Sequence, residues 1–219
     1  MIPLRDINPS RRPPVVTVVI IALNVLVFAL EFVLPNDVLN ALASTWGLIP
    51  SRLVSLEPMA FVTLFTSMFL HSGPAHLLGN MLYLWIFGDN IEGVLGSLRF
   101  IVFYLVCGIG AALGQTVINP SSTIPMIGAS GAISGIMGSY LVLYPRAEVE
   151  TLLILGYIVR LVRLPTLVVV GSWIFTQLLS GVLTLGMEAT GGVAWFAHIG
   201  GFAAGVLLIS LFRRRRWWE

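Results

Sequence analysis

No lysine occurs among the 219 residues, and all twelve basic residues are arginines. Charge of either sign is scarce, at 10% of the chain against 57% hydrophobic residues, and the mean hydropathy is +0.95. A chain this poor in charge cannot cover itself with a solvated surface, which excludes a soluble globular domain and leaves a membrane protein. The single cysteine, Cys107, excludes an intrachain disulfide and reads as a small buried hydrophobe in an apolar run. Only three histidines are present, His71, His76 and His198. They are scattered and lack cysteine or acidic company, so no metal site and no other cofactor is expected. Heptads, low-complexity tracts and internal repeats are also missing, which argues against a transporter built from inverted repeats.

What the chain does have is long apolar runs. A spanning helix needs ~20 mostly apolar residues, and breakers such as Pro35-Asn36-Asp37, Ser72-Gly73-Pro74, Asn119-Pro120 and Gly191-Gly192 divide the sequence. The resulting spans run over residues 15–34, 74–87, 98–118, 126–144, 165–187 and 195–212. The first is longer than the core of a signal peptide and reads as a retained span. The second is short for a bilayer, and the run 61–70 ahead of it suits an interfacial or re-entrant piece in the first loop. Residues 151–159, followed by Arg160 and Arg163, read as a surface-hugging loop element. The expected fold is an all-α membrane protein, a six-helix bundle at 15–212 with a cytoplasmic segment at 1–14 and a cytoplasmic basic tail at 213–219.

Arginine placement sets the orientation. Arg5, Arg11, Arg12, Arg99, Arg146, Arg160, Arg163 and Arg213 to Arg216 fall on one side and only Arg52 on the other, which puts both termini in the cytoplasm. The terminal arginines with Trp217-Trp218 read as an interfacial anchor, not as a nucleic-acid patch.

With this topology spans two, four and six begin in the same outer leaflet. His76 and Asn80 lie in the first turns of span two, Ser130 about five residues into span four, and His198 about four into span six. At 1.5 Å per residue all sit within roughly 10 Å of the outer boundary. An imidazole, a carboxamide and a hydroxyl at that depth must satisfy one another or reach water. Gly128, Gly131, Gly135 and Gly138 on span four, with Gly201 and Gly205 on span six, form small-residue faces suited to close packing. A serine among glycines is by itself a packing residue, but if these faces touch, Ser130 and His198 come together. That is the hydroxyl-and-base pair nucleophilic catalysis needs. His76 and Asn80, spaced i and i+4, add donors for a developing oxyanion beside the first-turn N–H groups of span four. Spans four and six carry no carboxylate to orient His198, so the pair is a dyad, with Glu188 in the last loop as an alternative partner.

The set His71-x-x-x-x-His76-x-x-x-Asn80, Gly128-x-Ser130-Gly131 and Ala197-His198-x-Gly200-Gly201-x-x-x-Gly205 resembles the rhomboid intramembrane serine proteases. Gly88-x-x-x-Glu92-x-x-x-Gly96 fits a further pattern of that family, and the stretch from Ile2-Pro3-Leu4-Arg5-Asp6 to Arg12-Pro13 looks like its compact prokaryotic members. The resemblance implies Ser130 as nucleophile, His198 as general base, and His76, Asn80 and the Ser130 N–H as oxyanion hole. It implies a supporting role for His71 in the first loop, and for Glu92 a structural one, tying the inner turn to span three. Implied partners are the lipid bilayer and single-span membrane protein substrates, cut near the extracytoplasmic face of a cell membrane; nucleic acid is not among them, and oligomeric state is left open. Ser134 stands where many members place an aromatic residue on the catalytic histidine, so what holds His198 is not given. The first-loop Trp-Arg pair common in the family is absent around Glu57-Pro58-Met59. The alternative function is a catalytically silent rhomboid-like protein that binds membrane clients.

Overall fold

The computed structural model describes residues 1–10, 12–185 and 193–213. A short strand, β1 (Ile2–Asp6), precedes the long helix α1 (Val15–Phe32). The first loop folds into three short helices, α2 (Asn36–Trp46), α3 (Pro50–Val54) and α4 (Pro58–Thr66), and a single 3-10 turn at Ser67–Phe69. Next come α5 (Pro74–Leu95), α6 (Ser97–Ile118) and α7 (Ser130–Leu143), then a hairpin of β2 (Glu148–Leu155) and β3 (Ile158–Pro165). The helices α8 (Thr166–Leu183) and α9 (Trp195–Phe212) complete the bundle. Among the described residues four helices, α1, α6, α8 and α9, are long and apolar enough to cross a membrane by length and composition. The protein is a multi-pass, helical membrane bundle.

Two further helices, α5 and α7, are packed among those four, and each departs from the expected span. Far from stopping at residue 87, α5 runs on to Leu95, 22 residues in all. The polar residues in this extension are buried and hydrogen-bonded: Glu92 is 2% exposed and Asn90 4%. In contrast α7 is shorter than expected, starting at Ser130 and not at Met126, with 14 residues. Met126 is held in an extended bridge to Leu48, its N–H donating to the Leu48 carbonyl at 2.7 Å and its carbonyl accepting from the Leu48 N–H at 3.0 Å. A helix of this length covers ~21 Å, less than the ~30 Å hydrocarbon core. It has no need to reach both surfaces, because every residue from Gly131 to Tyr140 is buried by its neighbours.

The helices meet through glycines. A Cβ built at Gly201 would collide with the carbonyl of Gly131, and one at Gly205 with the carbonyl of Gly135. The α7 and α9 backbones therefore touch, as the small-residue faces anticipated. Ser139 Oγ adds a bond across the seam to the Gly205 carbonyl at 3.1 Å. The other side of α9 lies against α6, where a Cβ on Gly200 would stand 2.6 Å from the Gly110 carbonyl. Cys107 is fully buried and faces Gly135.

At the opposite end of the bundle from Ser130, Glu92 ties three helices together. Its carboxylate accepts the backbone N–H groups of Val16 and Thr17 at 2.9 and 2.8 Å and the Thr17 hydroxyl at 2.9 Å. The Ser97 hydroxyl at the start of α6 donates to it at 2.9 Å. The N–H groups lie in the first turn of α1, which has no side-chain cap of its own and whose positive dipole end favours a carboxylate. Beside it, Gly88 admits Thr17, and Gly96, at φ +77°, makes the turn from α5 into α6.

The element absent from the sequence reading is the antiparallel sheet β1-β2-β3. Residues 151–159 belong to its hairpin, in register from Glu148↔Pro165 to Leu155↔Ile158. The N-terminal segment is thereby a strand, paired from Ile2↔Leu152 to Asp6↔Val149. It is latched to the bundle by Asp6, whose Oδ2 accepts from Tyr140 on α7 at 2.7 Å and Asn90 on α5 at 2.8 Å.

Substituting Glu92→Ala leaves buried α1 N–H groups without an acceptor, a cost of ~1–3 kcal/mol for each. We expect a large drop in the apparent melting temperature of the purified protein in detergent, and a smaller one for Glu92→Gln, which keeps one carbonyl oxygen. Equal melting of Glu92→Ala and wild type would show that the three helices are joined by other means.

Candidate active site

The N-terminal ends of α5, α7 and α9 lie together, and the four expected site residues are on them. Ser130 is the first residue of α7. Gly128, two residues before it, has φ +120°, a left-handed value that glycine adopts at low cost. There is also no room for a side chain: a Cβ on Gly128 would stand 2.7 Å from His76 Cε1 and Nε2. The Gly128 N–H donates to the Ser67 carbonyl at 2.8 Å, which ties the first loop to the start of α7. The N-cap residue of α7, Ala129, offers no side-chain cap, and N–H groups in that first turn have no intrahelical acceptor.

His198, 9% exposed, faces Ser130 across the α7–α9 seam, with Nε2 2.8 Å from Oγ. Its other nitrogen, Nδ1, lies 2.7 Å from Oε1 of Gln177 on α8. Trp173, one turn earlier on α8, places its ring centroid 5.6 Å from the imidazole, and Trp195 approaches edge-on at 6.5 Å. Ser134, at the position the family often fills with an aromatic residue, hydrogen-bonds its own helix through the Ser130 carbonyl at 2.6 Å. The support for His198 comes from α8 instead. Gln177 and Trp173 escape a sequence reading because neither is a carboxylate and both stand on α8, not on α7 or α9. A signal was present: the chain has only two glutamines, and both engage the first turn of α9. The second, Gln115 on α6, accepts the Ala197 N–H at 3.2 Å. Glu188, the alternative partner, lies outside the described residues.

His76 and Asn80 reach the same place from α5, on one face as their spacing requires. The Ser72 N–H donates to His76 Nδ1 at 3.4 Å, and the Ser72 hydroxyl lies 3.0 Å from the same atom. Because a backbone N–H can only donate, Nδ1 is the acceptor and the ring proton sits on Nε2, beside Gly128. One of the two amide N–H groups of Asn80 is already engaged. Its Nδ2 donates to His71 Nε2 at 3.0 Å, and His71 Nδ1 in turn lies 3.3 Å from the Phe69 carbonyl. Burial, and next the neighbouring His76, push the His71 imidazole down to about 4, so it stays neutral and can accept through Nε2. The second N–H of Asn80 remains, on an Nδ2 that lies 3.6 Å from where a Gly128 Cβ would be. His71 therefore orients Asn80, and the backbone N–H of His71 donates to Glu31 Oε2 at 3.2 Å.

A hydroxyl, a base at hydrogen-bond distance and up to three N–H donors around one spot make a set suited to acyl transfer. The rhomboid domain family model matches residues 58–215 of the chain. Among curated proteins, RHOMBOID-like protein 4 of Arabidopsis thaliana is 33% identical over 151 residues, 68% of this chain and 34% of that protein. RHOMBOID-like protein 1 of the same plant is 34% identical over 149 residues, again 68% of this chain and 34% of the relative. Rhomboid protease GluP of Bacillus subtilis is 44% identical over 78 residues, 36% of this chain and 15% of that protein. The matched region is thus about a third of the length of the plant relatives. With a family model covering most of its length and His71, His76, Asn80, Ser130 and His198 gathered at one end of the bundle, the chain belongs to the rhomboid family.

Proposed function

We propose that this chain is an intramembrane serine endopeptidase that cuts single-span membrane proteins within or near their transmembrane segments, using Ser130 and His198 as a dyad. The observation that carries this reading is the 2.8 Å contact between Ser130 Oγ and His198 Nε2. It is supported by family membership and by the protease name of GluP. In this reading Ser130 Oγ attacks the carbonyl carbon of the scissile peptide as Nε2 takes its proton. The charge that develops on the carbonyl oxygen is met by His76 Nε2–H, the free Asn80 N–H and the backbone N–H of Ser130. The leaving amine takes the proton back from His198, and water activated by the same nitrogen then hydrolyses the ester on Ser130.

Residues 15–212 form the membrane domain in this proposal, with 1–14 and the basic tail 213–219 on the cytoplasmic side of a cell (inner or plasma) membrane. Of that tail only Arg213 is among the described residues. The site then opens to the extracytoplasmic side, from which water and an unwound substrate segment reach it. Lipid bilayer and membrane protein substrates are the partners.

Ser130→Ala and His198→Ala should each abolish cleavage of a membrane-span substrate, and Ser130→Ala should abolish labelling by a fluorophosphonate probe, with both proteins still folded. Substantial turnover by either variant would remove the dyad, and a wild-type protein that neither cleaves nor labels would favour the client-binding alternative.

Asn80→Ala should lower kcat by ~10²–10³ with KM almost unchanged, as for loss of a donor used only in the transition state. His71→Ala leaves that donor in place but unheld, and should fall between wild type and Asn80→Ala. A raised KM with kcat intact in Asn80→Ala would mean that Asn80 holds substrate and has no oxyanion role.

A further inference from the structure

We propose that Gln177 is the positioning residue of His198, a neutral third member that selects the imidazole tautomer able to act as base. This inference rests on the reading of Ser130 and His198 as nucleophile and base. Gln177 is buried at 6% exposure on α8, and the partners at its two amide ends decide which way it faces. Its Nε2 lies 3.3 Å from the Trp173 carbonyl and 3.4 Å from Thr176 Oγ1. The Thr176 hydroxyl gives its own proton to the same Trp173 carbonyl at 2.6 Å, so its oxygen is left to accept. Both neighbours therefore call for the NH₂ end of the amide, and the carbonyl end must face His198.

A carbonyl oxygen only accepts. At 2.7 Å from Gln177 Oε1, His198 Nδ1 has to carry the ring proton. A neutral imidazole has one N–H, so Nε2 keeps its lone pair, and that lone pair faces the Ser130 hydroxyl at 2.8 Å. The opposite tautomer would set two lone pairs against each other at Gln177 and leave Nε2 unable to take a proton. The chain of donors runs one way, from Ser130 through His198 to Gln177, and is anchored on the α8 backbone.

An amide suits this place better than a carboxylate, since an ionised group at this depth is costly and would need a cation beside it. Among the described residues, the titratable side chain that acts on His198 from across the site is His76 on α5, while α6 and α8 contribute the neutral Gln115 and Gln177. When His198 takes the serine proton, the Nδ1–H···Oε1 bond becomes charge-assisted and strengthens at the moment it is needed. Trp173 and Trp195 fix the plane of the ring while Gln177 fixes its rotation.

The test uses the full-length protein in detergent or liposomes with histidine labelled by ¹⁵N. With three histidines in the chain, the His198 pair of signals is assigned by its loss in His198→Ala. In wild type we expect Nδ1 protonated and Nε2 as the unprotonated nitrogen. In Gln177→Leu, which keeps the volume and removes the acceptor, that tautomer should lose its dominance, and kcat should fall by ~10–10²-fold with KM unchanged, a milder loss than the ~10⁴ of a triad forced into the wrong tautomer. Gln177→Glu restores an acceptor and should recover much of the activity, with the acidic limb of its pH profile moved to higher pH because a carboxylate favours imidazolium. An Nε2-protonated His198 in wild type, or a folded Gln177→Leu with wild-type tautomer and rate, would overturn the proposal. If wild type shows the Nδ1–H tautomer but no Ser130-dependent turnover, the protease reading fails while the positioning of His198 stands.

Discussion

The contact of α7 with α9, backbone against backbone, is the constraint from which the rest of the site follows. Lipid tails are as apolar as leucine, so helices in a bilayer gain little from burying leucines against each other and associate through close packing and interhelical hydrogen bonds. Here Gly201 and Gly205 leave no space for a Cβ in front of the Gly131 and Gly135 carbonyls. Ser130 directly precedes the first of these carbonyls, and His198 lies one turn before Gly201. Whatever separation the glycines allow is therefore imposed on the hydroxyl and the imidazole. Gly200 repeats the device toward α6, which wedges α9 between two neighbours and removes its freedom to slide.

Polar groups buried between helices need partners from the protein, and the structure accounts for nearly every donor around the site. Asn80 is held by His71, His71 by the Phe69 carbonyl and Glu31, and His76 by Ser72. Gln115 caps α9 and Gln177 faces His198. Apart from Glu31 at its edge, the network is made of groups that are neutral or backbone, which avoids the desolvation penalty of buried charge. The donors left over, on His76 Nε2, Asn80 Nδ2 and the first turn of α7, border the Ser130 hydroxyl. The arrangement is rigid because each member has one partner that can only donate or only accept.

The glycine seams, the ends of most helices and the grouping of Ser130, His198, His76 and Asn80 at one depth were legible in the sequence, because spacing and apolar length carry that information directly. Three features were not. The hairpin β2–β3 lies in a run where apolar residues occupy both faces toward its tip, so the alternation that marks a strand is absent, and its pairing with Ile2–Asp6 joins residues far apart in the chain. The start of α7 depends on a bridge between Met126 and Leu48 and on the Gly128 turn, which apolarity alone does not reveal. Gln177 resembles any polar residue in a span until α8 is placed against α9. What escapes sequence reading here is tertiary: partners that are brought together only after the helices have packed.

The most direct measurement of this dependence is the rate of fluorophosphonate labelling of Ser130 in Gly201→Ala. A single methyl group at that position collides with the Gly131 carbonyl and must push α9 from α7, and a displacement of about 1 Å at a catalytic group can cost ~100-fold in rate. If the glycine contact sets the site, the variant remains folded by circular dichroism and gel filtration while labelling slows by about that factor. A folded Gly201→Ala protein that labels at the wild-type rate would contradict it, and would mean that Ser130 and His198 are brought together by something other than the α7–α9 seam.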